Sequence, residues 1–68
     1  METATLVSWD KARAFGFATP VLGGKDVFIH ANAFGNGKGW HPSVGDRVEM
    51  EVEVDKRGPR TIRAWVSV

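Results

Sequence analysis

Polar and apolar residues alternate along this chain in about five short runs that are separated by turn-forming residues. The clearest run is Val48, Met50, Val52 and Val54, which alternates with three glutamates. Strict alternation places the two sets on opposite faces of a strand, so we expect the glutamate face to meet water. No window shows the 3.6-residue period of an amphipathic helix. The pattern therefore predicts an all-β chain.

Turn signals set the expected limits of the strands. Pro20 ends the second strand because it cannot donate to a ladder, and Gly23-Gly24 turns the chain into the third strand. We expect these two strands to form a hairpin. A single helical turn is expected near residues 31–34, inside a long glycine-rich connection. The predicted strands cover residues 5–9, 13–19, 25–30, 48–54 and 60–68.

The last predicted strand carries apolar residues at every second position. We expect Ile62, Ala64, Val66 and Val68 to share one side of it. Trp65 then faces the other way. It is either exposed to solvent or buried by a curved or bulged strand. Five short strands at this spacing suit a small closed or nearly closed barrel.

Composition narrows the possible functions. With 68 residues, the chain is expected to form one small domain over residues 1–68, too small for a cleft between two cores. It has no cysteine, and His30 and His41 lack a second ligand pair, so we expect no metal and no cofactor. The start of the chain carries an acid and no apolar run. We therefore expect a cytoplasmic protein that does not bind a membrane.

Four flat side chains lie on two neighbouring predicted strands. Period-2 geometry puts Phe15 and Phe17 on one face, and Phe28 and His30 on one face. If these faces coincide, the rings form a platform on which bases of single-stranded nucleic acid can stack. Phenylalanines in a small β-domain are more often core, and the second strand alone permits either orientation. The third strand favours outward rings, because its neighbouring residues are apolar and suit the interior.

The sequence resembles the cold-shock domain family at these same residues. Residues 13–17 read Arg-Ala-Phe-Gly-Phe, similar to the family's Lys-Gly-Phe-Gly-Phe, and residues 27–30 read Val-Phe-Ile-His, similar to Val-Phe-Val-His. The resemblance extends to Trp9, to residues 44–48 and to the Gly-Pro pair at 58–59. It therefore covers nearly the whole chain in the right order.

The resemblance implies a five-stranded antiparallel Greek-key β-barrel of the OB-fold type that binds single-stranded RNA or DNA by stacking. Arg13 would replace the family lysine near the phosphates and keep its charge. The net charge of only +1 means that binding must depend on aromatic contacts and local clusters of charge. The candidate nucleic-acid-binding residues are Trp9, Lys11, Arg13, Phe15, Phe17, Phe28, His30, Trp40 and Arg60.

Three departures from the family pattern predict a smaller site and weaker binding. Asp10 introduces an acid where the family has an aromatic, and Ala31 replaces the bulky residue that follows the histidine. Ala14 replaces a glycine, so a backbone conformation that only glycine adopts easily is expected to be missing. Trp40 has two interpretations: it is a mobile stacking group, or it folds over the end of the barrel.

Enzymatic activity is not expected, since no serine has a recognisable base and orienting acid and no paired carboxylates share a predicted pocket. Asp26, Asp46 and Asp55 lie beside turns, where aspartate commonly caps backbone amides. The main hypothesis is a binder of single strands with little sequence preference, which would keep RNA unpaired. The alternative is a degenerate barrel that serves as a protein-interaction or dimerisation module. The chain is expected to be a monomer or a weak homodimer. The dimer would form by strand exchange or through Trp65.

Overall fold

The computed structural model describes residues 2–36 and 39–67 of the chain. These residues form five strands and one 3-10 helix. The part of the chain that the structure describes contains no helix long and apolar enough to cross a membrane. In chain order the elements are β1 (Glu2–Asp10), β2 (Phe15–Pro20), β3 (Val27–His30), the 3-10 helix (Ala31–Ala33), β4 (Arg47–Asp55) and β5 (Gly58–Val66).

The strands close into a barrel in the order β1-β2-β3-β5-β4. β1 pairs in antiparallel fashion with β2 on one side and with β4 on the other. The expected hairpin of β2 with β3 is present, and β4 pairs with β5 along nearly its whole length. β3 and β5 run parallel where Phe28 lies opposite Arg60. The predicted five-stranded barrel is therefore confirmed, with this one parallel pairing among antiparallel ones.

The barrel interior is filled by small and medium apolar side chains that alternate with outward residues. Phe34, directly after the 3-10 helix, closes one end of this core although it belongs to no strand. The helical turn expected at residues 31–34 is thus confirmed, and it delivers an aromatic residue to the interior. The buried apolar residues are Ala4, Leu6, Ala18, Val27, Ile29, Phe34, Val48, Met50 and Ala64.

Several predicted strand limits were wrong by two or three residues. β1 begins at Glu2, because its first two residues pair with β4 before the pairing with β2 begins at Ala4. β2 begins only at Phe15. It runs through Pro20, which lies at its end opposite Ala4. β3 begins at Val27, and β5 covers Gly58–Val66 instead of residues 60–68. Val68, expected to face the interior, lies outside the described residues.

The expected alternation of β4 holds only in its first half. Val48 and Met50 are fully buried, but Val52 is half-buried and Val54 is 75% exposed. Beyond Val52 the strand pairs only with β5, as an arm that ends in the turn at residues 56–57. The glutamate face meets water only in part, since Glu49 is half-buried and accepts a hydrogen bond of 2.7 Å from the Thr3 hydroxyl.

Ile62 does not share the buried side of β5, contrary to the prediction. Glu51 pairs with Arg63 and Val52 pairs with Thr61, so Ile62 is the additional residue of a β-bulge. A bulge adds one residue to the strand, so the alternation of inward and outward side chains shifts by one position beyond it. Ile62 is consequently 48% exposed, while Thr61 is buried, with its hydroxyl 3.3 Å from the Met50 sulfur.

The expectation for Ala14 was also wrong, because the residue adopts the conformation that was expected to be missing. Ala14 has a φ of 60°, in the left-handed region. Its amide donates to the Asp10 carbonyl at 2.7 Å and its carbonyl accepts from the Ala31 amide at 2.8 Å. Both hydrogen bonds hold Ala14 in place against the steric cost of a left-handed Cβ. The turn therefore keeps its shape at the expense of stability.

We predict that Ala14→Gly raises the free energy of unfolding by about 0.5–1 kcal/mol. Relief of the left-handed strain exceeds the entropy that glycine adds to the unfolded chain. Urea denaturation measures the change. Ala12→Gly, in the same exposed turn but without a positive φ, is the matched control and is expected to leave stability unchanged or lower. Equal destabilisation by both substitutions would contradict the assignment of strain to Ala14.

Candidate nucleic-acid interface

The pairing of β2 with β3 brings the predicted rings together on the outside of the barrel. Phe15 lies opposite His30 and Phe17 lies opposite Phe28. Directly opposed residues on an antiparallel pair project to the same face. The intervening positions are sealed in the interior: Gly16, Ala18, Val27 and Ile29 are all buried. Of the two orientations that the second strand permitted, the structure has the one with the phenylalanines outward.

We call Phe15, Phe17, Phe28 and His30 the ring platform. The centroids of Phe15 and Phe28 are 5.4 Å apart, those of Phe17 and Phe28 are 5.9 Å apart, and those of Phe15 and Phe17 are 6.4 Å apart. Phe17 is 39% exposed, and the other three are half-buried. Edge contacts at these distances stabilise aromatic clusters. The three phenylalanines hold one another in place while part of each ring remains open to solvent.

Gly16 explains why the two flanking phenylalanines must face outward. A Cβ at Gly16 would lie 2.7 Å from Cε3 of Trp9 and even closer to the Ser8 carbonyl oxygen. The inner face of β2 is thus filled by the backbone of β1 at this point. Only glycine fits there, and the period of two then directs Phe15 and Phe17 to the opposite face.

Trp9 lies apart from the ring platform. A bulge in β1 leaves Val7 unpaired between Leu6 and Ser8, after which Trp9 lies opposite Gly16. Trp9 therefore shares the face of Gly16 and packs partly against the core. Its indole Nε1–H donates to Nδ1 of His41 at 2.9 Å, and its ring packs edge-to-face with Phe34, the two centroids lying 6.1 Å apart. A stacking role for Trp9 stays a prediction.

Trp40 is folded over the end of the barrel. Its ring centroid is 5.1 Å from that of Phe34, and the indole is half-buried against the core. Of the two interpretations of Trp40, the geometry matches the packed one. Phe34 itself was not singled out in the sequence. Its burial could have been predicted from its position at the end of the predicted helical turn, where an apolar residue is directed back toward the interior.

Of the three candidate cations, two lie in the turn that leads into β2 and one lies on β5. Arg13 directly precedes the turn residue before Phe15, and Lys11 is exposed in the same turn. Arg60 lies beside Phe28 across the parallel pairing of β3 with β5. Arg13 is 4.0 Å from the Asp10 carboxylate, and Arg60 is 3.9 Å from that of Asp55. Such exposed ion pairs are weak, so both guanidinium groups can turn toward a phosphate.

The expected backbone capping is present at two of the three aspartates. Asp46 accepts from the Ser43 amide at 3.0 Å, and Asp55 accepts from the Arg57 amide at 2.8 Å. Asp26 instead accepts from the Thr19 hydroxyl at 2.6 Å. Asp10, expected to be an unfavourable acid beside the site, caps the Arg13 amide at 3.1 Å. It thereby stabilises the turn that leads into β2.

A closed five-stranded barrel with an aromatic surface on its second and third strands defines the oligonucleotide-binding class of small barrels. The model of the "Cold-shock" DNA-binding domain matches residues 2–66. The chain therefore belongs to the cold-shock domain family, whose members are nucleic-acid-binding domains.

Individual relatives agree with this assignment. The chain is 38% identical to the cold shock-like protein CspC of Escherichia coli strain K12, with 82% of this chain and 83% of the relative covered. It is 36% identical to the cold shock-like protein CspB of Yersinia pestis, over 84% and 83% of the two chains. It is 34% identical to the cold shock-like protein CspC of Buchnera aphidicola, over 87% of each chain.

We predict that Gly16→Ala destabilises the barrel by roughly 3 kcal/mol, because the new methyl group meets the backbone of β1, which cannot move aside. Gly45→Ala is the control: Gly45 has a φ of 99° but nothing within 4 Å of an added Cβ, so its substitution costs only backbone strain, about 1–2 kcal/mol. Thermal or urea unfolding compares the two. A smaller loss at Gly16 than at Gly45 would be inconsistent with the close approach of β1.

Proposed function

We propose that residues 1–68 form a single, non-enzymatic domain that binds single-stranded RNA or DNA with little sequence preference. The observation that carries this proposal is the ring platform, where three phenylalanine centroids lie 5.4–6.4 Å apart on the outer surface. Aromatic faces accept any base, because every base has a π-face, and each stacked base contributes roughly 1–3 kcal/mol. A domain of this kind keeps RNA strands unpaired by occupying their base faces.

The exposed apolar surface supports this proposal, because covering the partly solvated rings with a base removes apolar surface from water, which favours binding. Phe15, Phe17 and Phe28 are held by one another, so they lose little rotamer freedom when a base covers them. The bases of a single-stranded nucleic acid are free to stack on such rings. In a duplex the bases already stack on each other. The platform therefore favours single strands.

The charges around the platform support a modest electrostatic contribution. Lys11 and Arg13 lie in the turn before Phe15, and Arg60 lies opposite Phe28, whereas the chain as a whole carries a net charge of only +1. If about three phosphates are neutralised on a single strand, the slope of log K against log salt is about −2. Stacking then supplies most of the affinity. This balance differs from that of strongly basic binders, whose affinity falls steeply with salt.

The cold-shock family description supports nucleic acid as the ligand, because that family is described as DNA-binding. The curated relatives are called cold shock-like proteins. We propose that this chain acts as an RNA chaperone or as a regulator of gene expression, because either role needs a surface that binds single strands. The departures at Asp10 and Ala31 make its site smaller than the family pattern implies.

The proposal predicts that Phe17→Ala and Phe28→Ala each weaken binding of a fluorescently labelled hexathymidylate about tenfold, through loss of one stacked base. Fluorescence anisotropy measures the dissociation constants. Trp65→Ala is the control, since Trp65 is 38% exposed but lies outside the ring platform. Circular dichroism checks that all three variants fold. Unchanged affinity in both phenylalanine variants would count against stacking on the ring platform. A slope of log K against log salt as steep as about −5 would do so too.

Self-association is a second candidate function, favoured by the exposure of Trp65. It lies on β5 opposite Glu49, five residues beyond Arg60 along the strand. An exposed tryptophan on a strand is a suitable contact for a weak homodimer. Sedimentation velocity at increasing concentration is expected to show dimers that Trp65→Ala removes. A monomer at every concentration would exclude this contact and leave the nucleic-acid proposal unaffected.

A further inference from the structure

The arm that β4 forms with β5 leaves one edge of β4 uncovered. β1 pairs with β4 only as far as Glu2, which lies opposite Met50. From Glu51 to Asp55 the strand has β5 on one side, and among the residues that the structure describes no strand lies on the other side. We call this stretch the open edge. Such an edge can pair with another extended chain.

The backbone groups of Val52 and Val54 point to the open edge. The Ser67 amide donates to the Arg47 carbonyl at 2.8 Å, so Arg47 directs its backbone groups toward the chain of β5. This direction alternates along an antiparallel strand, and the bulge lies in β5 and leaves the alternation of β4 unchanged. Val52 and Val54 therefore turn away from β5. Pro59, which has no N–H, lies opposite Val54, as expected at a pair that exchanges no hydrogen bonds.

The side chains of the open edge are acidic on one face and apolar on the other. Glu51, Glu53 and Asp55 share the outer face, whereas Val52 and Val54 share the face that continues the barrel interior. Val54 is 75% exposed, so an added strand would remove apolar surface from water at this point. A strand that fits the open edge needs cationic and apolar side chains in alternation.

A second copy of this chain does not fit the open edge by strand pairing. If two β4 strands pair in antiparallel fashion about Glu53, the two Glu53 side chains face each other and Glu51 faces Asp55. Like charges directly opposite each other destabilise a strand pair, and every register that keeps the valines on one face repeats the conflict. The acids therefore act against edge-to-edge pairing of identical chains.

We propose that the open edge of β4 binds an extended basic segment of another protein by strand addition, with lysine or arginine alternating with apolar residues. The cations of this segment lie opposite Glu51, Glu53 and Asp55, at pairs that exchange no backbone hydrogen bonds and whose side chains are closest. Its apolar residues lie beside Val52 and Val54 and exchange backbone hydrogen bonds with them.

The arm is already formed before such a segment binds. The Arg63 guanidinium is 3.7 Å from the Glu51 carboxylate, and that of Arg60 is 3.9 Å from the Asp55 carboxylate. The Arg57 amide donates to Asp55 at 2.8 Å in the turn that joins the two strands. Binding therefore requires little ordering of this chain. These exposed ion pairs are weak, so the same carboxylates can also meet cations of a neighbouring strand.

The position of the open edge leaves the ring platform free. The strand order places β5 between β4 and β3, and the open edge lies on the side of β4 that faces away from β5. A basic segment added there does not cover the rings on β2 and β3. The inference therefore does not depend on the proposed function.

The first test titrates the ¹⁵N-labelled chain with the peptide acetyl-Lys-Val-Lys-Val-Lys-Val-Lys-amide, without nucleic acid. The amide signals of Val52 and Val54 are expected to shift and to become protected from hydrogen exchange, because both donate to the added strand. A peptide with four lysines followed by three valines controls for charge alone and is expected to leave exchange at these amides unchanged. Equal protection by both peptides, or no shift of these two signals at millimolar peptide, would overturn the proposal.

The second test removes one donor from the open edge. Val54→Pro deletes the N–H at a position where proline costs no hydrogen bond to β5, and it is expected to weaken peptide binding about tenfold. Val54→Thr has a similar shape and keeps the N–H, so this matched control is expected to bind as the parent chain does. Circular dichroism checks that both variants fold. Equal affinity of the two variants would contradict strand addition.

The third test concerns the choice of a basic partner and keeps every backbone group. Glu53→Gln is expected to weaken peptide binding about threefold, the usual effect of one exposed ion pair. Unchanged affinity in this variant would overturn the basic character of the segment. Shifts of the Val52 and Val54 amides with protein concentration alone would instead place a second copy on the open edge and overturn the choice of partner. None of these outcomes bears on nucleic-acid binding, because no oligonucleotide is present.

Discussion

The outward display of the rings depends on one close contact between β1 and β2. At Gly16 the inner face of β2 lies against the Ser8 carbonyl and the Trp9 ring, with no space for a side chain. Because side chains alternate along a strand, the two neighbours of Gly16 must face solvent. A shift of one residue would turn both phenylalanines to the inner face and place one of them where the backbone of β1 lies. Pairing with β3 then aligns Phe28 with Phe17. The candidate binding surface is thus a consequence of how tightly two strands pack.

The same arrangement explains how so small a barrel presents aromatic rings without losing its core. The interior is filled mainly by aliphatic residues such as Leu6, Ile29 and Met50. One aromatic residue, Phe34, closes the end, and Trp9 and Trp40 cover it from outside. Because these three rings form their own cluster at the barrel end, the phenylalanines of the ring platform are not required for the core and remain available at the surface.

The sequence predicted those parts of the structure in which local periodicity and packing agree. The barrel class follows from the alternation of polar and apolar residues. The β2–β3 hairpin follows from the glycine pair, and the helical turn was expected in the connection that follows His30. The outward direction of Phe28 followed from the apolar residues beside it, Val27 and Ile29, which are both buried. The parallel contact of β3 with β5 has no signal of its own, because it arises only when the barrel closes.

Features that depend on tertiary pairing were not predictable from the pattern. Because of the bulge at Ile62, Thr61 faces the interior and Ile62 faces solvent. Nothing in the alternating sequence marks the additional residue. The left-handed conformation of Ala14 is imposed by two backbone hydrogen bonds, against the preference of alanine. The bulge in β1 likewise changes the face on which Trp9 lies. The hydrogen bond between Trp9 and His41 requires the loop that carries His41 to return to the barrel, which only the folded chain reveals.

The central claim is that rings on β2 and β3, held outward by the packing of Gly16, are the surface that meets a nucleic-acid strand. Titration of the ¹³C-labelled chain with hexathymidylate, followed by the aromatic signals in NMR spectra, tests it most directly. The account predicts that the ring signals of Phe15, Phe17 and Phe28 shift together at saturating ligand, while those of Trp65 stay unchanged. Shifts confined to Trp65 and its neighbours, with the three phenylalanines unaffected, would contradict it.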